Sequence, residues 1–109
     1  MNRLAIILTI VLIAAGCAKR PDAIVPTSIS SDIYTALDCK QIGDELARET
    51  QTLTTLSRAQ NDAATGDAFS VFVIGVPLAS AAGGNKEGLI AVSKGKVQAL
   101  EGAKLRKSC

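Results

Sequence analysis

The chain has 109 residues, with 12 Lys and Arg against 10 Asp and Glu, no His and no Trp. Without histidine it cannot assemble a Ser-His-Asp or Cys-His constellation, and a net charge of +2 gives no whole-chain signal for nucleic acid as a partner. One Tyr (Tyr34) and two Phe (Phe69 and Phe72) make for a thin core, and a domain this small commonly needs a staple.

The front end is the most informative stretch. Arg3 supplies a positive start, Leu4 to Ala15 is apolar except for Thr9, and Ala14-Ala15-Gly16-Cys17 follows. A basic n-region, an apolar h-region and a small-residue cleavage site are the marks of a secretory signal. The alternative is an uncleaved membrane anchor. The run of about 12 residues falls short of the roughly 20 that a helix needs to span hydrocarbon.

A cysteine directly after such a site resembles the lipobox of bacterial lipoproteins, with Ala14 where leucine is usual. The resemblance implies that residues 1–16 are removed, that the Cys17 sulfur is diacylated, and that its new amine carries a further acyl chain such as palmitate. The partner is then a membrane, held through the lipid on Cys17. Two or more acyl chains anchor stably, at about 0.8 kcal/mol per buried methylene. In Gram-negative lipoproteins an Asp after the cysteine resembles an inner-membrane retention signal. Ala18 stands there instead, so the resemblance implies a protein on the outer membrane, facing the periplasm.

Residues 17–37 read as lipid anchor and tether. Pro21, Pro26 and several Ser and Thr favour an extended chain, and Ser31-Asp32 can cap a short turn through Tyr34 and Leu37. A small domain then covers residues 38–109. Its first helix is expected at about 38–65, with Asp38 as N-cap and Gln41 as its capping-box partner. Ile42, Leu46, Leu53, Leu56 and Ala63 form its apolar stripe, and Gly66 is expected to end it in a left-handed cap.

Residues 68–82 are apolar apart from two serines and are interrupted at Gly75-Val76-Pro77. They predict two short arms around a bend at Pro77. The segment, with Phe69 and Phe72, is either an apolar tip or a buried cover for the helix stripes; its length does not separate the two. Gly83-Gly84-Asn85 reads as a turn without the spacing of a phosphate loop.

The second helix is expected at about 86–107. Gly88, Gly95 and Gly102 recur every seven residues in it and fall on one stripe. With Ala91, Val92, Ala99 and Ala103 they make a small-residue face suited to close backbone approach. Lys94 is expected to point away from that face. Leu89, Ile90, Val97 and Leu100 lie opposite, and a helix apolar on two sides needs two partners.

Export puts Cys39 and Cys109 in an oxidising compartment, where an even pair reads as a disulfide; intermolecular bonds are the alternative, and two cysteines without histidine make a poor zinc set. Bonding them closes an antiparallel helical hairpin and sets a register in which Asp44 meets Lys104, Arg48 meets Glu101, Asp62 meets Lys86 and Arg58 lies near Glu87. Residues 32–67 carry seven acids against three bases, and residues 86–109 six bases against two acids, in keeping with two facing elements. Asp44, Glu45 and Glu49 are solvated charges on a helix rather than catalytic carboxylates, and Lys104, Arg106 and Lys107 suit the negative end of a helix dipole.

The stretch from Lys86 to Cys109, with Cys39 and the apolar middle, also looks like small uncharacterised proteobacterial lipoproteins, a resemblance that carries over no activity and no functional residue. The reading is therefore an all-α, lipid-tethered protein, non-enzymatic and without metal or cofactor, that associates with membrane, a second copy or another envelope protein. Alternatives are a tethered inhibitor or accessory subunit of an envelope machine, and a membrane-perturbing lysis factor built on the apolar tip.

Overall fold

A computed structural model describes residues 17–109; the signal-peptide reading of residues 1–16 lies outside them. The described residues are helical and contain no strand. Asp38 opens helix α1 (Cys39–Ile74) with a reciprocal capping box. Its carboxylate accepts from the Gln41 amide at 2.8 Å, and the Gln41 side chain accepts from the Asp38 amide at 3.0 Å. Two donors that a helix start leaves without intrahelical partners are thereby satisfied. The threonine-rich stretch stays helical, with the Thr54 and Thr55 hydroxyls donating back to the carbonyls of Thr50 and Gln51.

The stop expected at Gly66 does not occur. The 36 residues of α1 run on to Ile74, a length of about 54 Å, and absorb the first half of the 68–82 segment. An interior glycine costs a helix only about 1 kcal/mol, which its neighbours offset. Proline is the stronger signal: Pro77 disfavours helical geometry at Val76, and the left-handed cap falls at Gly75 (φ 77°), whose amide donates to the Val71 carbonyl at 2.9 Å. A single-turn helix α2 (Leu78–Ala81) follows. Helix α3 (Glu87–Arg106) begins where Asn85 Oδ1 accepts from the Glu87 amide at 3.1 Å.

Cys39 and Cys109 are joined by a disulfide, with their Cα atoms 5.6 Å apart. From that end the contacts climb α1 as they descend α3: Ile42 packs on Leu100 and Ala103, Ser93 donates to Glu49 at 2.7 Å, and Gln60 meets the Lys86 amide. The four ion pairs expected from the register do not form. Asp44 pairs instead with Lys40 at 3.4 Å, Arg48 with Glu45, Glu87 with Lys19 at 3.1 Å, and Arg106 with Asp32. The packed seam is made of apolar and small residues; Asp44 and Arg48 reach partners one turn away with less loss of side-chain freedom, while Glu87 and Arg106 pair with the N-terminal segment.

The largest departure is the stretch expected as a tether. Residues 18–37 are a packed layer. The Thr27 amide donates to the Ala91 carbonyl at 2.9 Å, Ile24 is buried, and short 3₁₀ turns form at Pro21–Ala23 and Ser31–Tyr34. The second partner that α3 requires is thus the chain's own N-terminal segment. The core is correspondingly split in two. Ile42, Leu100 and Ala103, with Tyr34, Leu37 and Leu46 against them, fill the disulfide end; Ala18, Ala63 and Ala64, with Ala79, fill the other.

Candidate functional site

Asp67 organises the end of the molecule away from the disulfide. It is fully buried near the far end of α1 and accepts from the Ala18 amide at 2.8 Å, from the Ser80 amide at 2.8 Å and from the Ser80 hydroxyl. Burial alone pushes its carboxyl up. The bonds from the Ser80 hydroxyl and amide and from the Ala18 amide outweigh that and hold it below the ordinary aspartate range. One turn on, the Ser70 hydroxyl donates to the Asp67 carbonyl at 3.1 Å and accepts from the Leu78 amide at 3.0 Å. The carboxylate and the hydroxyl of α1 therefore fix both the turn around Pro77 and the residue that follows Cys17.

Gln60, also fully buried, ties the same region together one level down. Its Nε2 donates to the Lys19 carbonyl at 2.8 Å and to Asn85 Oδ1 at 3.0 Å, and its Oε1 accepts from the Lys86 amide at 2.5 Å. The Arg20 guanidinium donates at 3.0 Å to both the Asn61 carbonyl and the Thr65 hydroxyl. Cys17, half-buried, is held beside this knot.

Above the knot the surface is apolar. Phe72 is 90% exposed and Phe69 69%, and Val73, Ile74, Val76 and Leu78 are each about half exposed. Of the two readings of residues 68–82, the exposed tip is the one observed; Pro77 itself is half-buried at the bend. No helix among the described residues is long and apolar enough to cross a membrane.

The three glycines do not act as one face toward α1. A Cβ on Gly95 would collide with the Thr27 carbonyl oxygen and approach Ile29 Cδ1 to 3.1 Å, and one on Gly102 would come within 3.2 Å of Ser31 Cβ. Both glycines receive the N-terminal segment, while Gly88 faces open space. Lys94 does not point away, because its ammonium donates to the carbonyls of Pro21 and Ile24. The carboxylates of Asp44, Glu45 and Glu49 are engaged with Lys40, Arg48 and Ser93. Among the described residues no group of three His, Cys, Asp or Glu side chains could hold a metal.

Nothing in the sequence pattern singles out Asp67 and Gln60 as a pair. The available signal was position: Asp67 is the last charge before a stretch, residues 68–85, that carries none. No family model matches this chain, and no curated protein or solved structure matches it.

Proposed function

We propose that the protein is a lipid-anchored cell-envelope protein, acylated on Cys17 and acting by association rather than catalysis. In this reading it is an antiparallel helical hairpin, closed by the Cys39–Cys109 disulfide and carried on the outer membrane facing the periplasm. The observation that supports it best is the Asp67 clamp on Ala18, which keeps the position after Cys17 at the same end as the exposed apolar side chains. An anchored cysteine and an apolar surface at one end suit a membrane-attached body. A second reading, an accessory subunit for an envelope partner, draws support from Leu105, 82% exposed in the last turns of α3 beside a shallow depression lined by Leu46, Lys104 and Cys109.

Metabolic labelling with an alkyne fatty acid tests the anchor. The wild-type chain incorporates label and runs at the processed mass, and Cys17→Ala gives an unlabelled precursor. Equal labelling of both refutes the reading. Crosslinking in intact envelopes then separates a protein partner from lipid alone.

A further inference from the structure

Resting on the anchored reading of Cys17, we propose that the end formed by Phe69, Phe72, Val73, Ile74, Val76 and Leu78 is a second, protein-borne membrane contact. These side chains enter the interfacial zone of the bilayer that holds the lipid.

Phe69, Phe72 and Val73 lie within one turn of α1 and share a side of it. Ile74, Val76 and Leu78 continue the surface around the bend. Six large apolar side chains left about half exposed or more together mark an interaction surface rather than ordinary scatter.

The polar groups at this end are arranged for a dry environment. Residues 68–85 carry no charge, and the nearest carboxylate, Asp67, is buried and saturated with donors. The amides of Gly75, Leu78, Ser80, Ala81, Gly83 and Gly84 all donate within the protein. That lowers the cost of bringing a backbone turn toward hydrocarbon.

Where the chain comes from names lipid as the occupant. The acylation candidate Cys17 directly precedes Ala18, whose amide is bonded to Asp67, two residues before Phe69. With acyl chains providing retention, the tip sets orientation. The molecule stands on this end, and α1 carries the disulfide about 54 Å away from it.

The chain has no tryptophan, so single Trp variants report without background. The full acylated chain carrying Phe72→Trp, and separately Val73→Trp, is reconstituted into phosphatidylethanolamine–phosphatidylglycerol vesicles, with Leu105→Trp as the control at the other end. Mass spectrometry verifies the acyl groups on Cys17 in each sample. The proposal expects blue-shifted emission from Trp at 72 and 73 that loses most of its intensity with lipids brominated along the acyl chain, while Trp at 105 keeps its intensity. Water-like, unquenched emission from 72 and 73 in acylated protein overturns the inference and leaves the anchored reading standing. Blue-shifted but unquenched emission, with crosslinking into dimers, assigns the surface to a second copy and also overturns it. A processed chain that lacks acyl groups overturns the anchored reading and, with it, the inference built on it.

Discussion

Alanine substitution at Gly95 and at Gly88 should move stability in opposite directions. In an unobstructed helix interior, Gly→Ala stabilises by about 0.5–1 kcal/mol because the glycine loses more backbone freedom on folding. Gly88, the second residue of α3, is unobstructed, since nothing lies within 4 Å of a Cβ placed there, and its place in the first turn puts the gain at the low end of that range. At Gly95 the same gain is offset by a collision with backbone, the Thr27 carbonyl, which no side-chain rotation relieves. Moving Thr27 gives up its amide bond to the Ala91 carbonyl, worth about 1 kcal/mol net, and a crowded contact adds about 1–3 kcal/mol. The sum is a net loss of about 1–3 kcal/mol. For a domain of this size each kcal/mol shifts the melting temperature by about 4–8 °C. Thermal and urea unfolding followed by circular dichroism should show Gly88→Ala above wild type and Gly95→Ala well below it. Hydrogen exchange should show the Thr27 amide losing protection only in Gly95→Ala. A Gly95→Ala variant as stabilised as Gly88→Ala would refute the packing of the N-terminal segment on α3.

Reduction of the disulfide, which spans 70 residues of sequence, should destabilise the chain by about 4 kcal/mol on the chain-entropy estimate, seen as a lower urea midpoint in reductant. The Asp67 carboxyl is depressed in the fold, so its contribution is present above the unfolded-state value near 4 and is lost as pH falls through the folded value. Unfolding titrations from neutral to acid should therefore show wild type losing more stability than Asp67→Asn, and equal slopes would remove Asp67 from the account. Gln60→Leu strands the Lys86 amide and the Lys19 carbonyl; it should cost about 1–3 kcal/mol from two part-buried groups left without partners, measured by urea unfolding.

What was legible in the sequence was local. The Asp38–Gln41 box, the bounds of α3 and the Cys39–Cys109 bond each rest on short-range chemistry or on an even count of cysteines, and all three are in the structure. The end of the first helix is not legible, because Gly66 and Pro77 both read as breaks and only proline has the steric means to enforce one. The N-terminal layer was hidden for a different reason. Its contacts run through backbone carbonyls and amides, as at Thr27 and Pro21, and composition is silent about where a carbonyl will find its donor. The heptad glycines did signal close approach, but spacing alone could not say that the approaching chain was residues 27–31 rather than α1. Asp67 illustrates the limit for site residues: a buried acid and a solvated one look alike until the fold shows which amides converge on it.

The seat of the N-terminal layer is supplied late. Lys94 grips the carbonyl of Pro21 across 73 residues of chain, and Ala91 and Gly95 also lie far downstream of Thr27, which they receive. Synthesis proceeds from the N-terminus, so the stretch after Cys17 emerges before any of the surface it rests on exists. The Ala18 amide waits for Asp67, 49 residues downstream, and the Thr27 amide waits for the last helix. Docking of the N-terminal segment is thereby placed late in folding by topology alone.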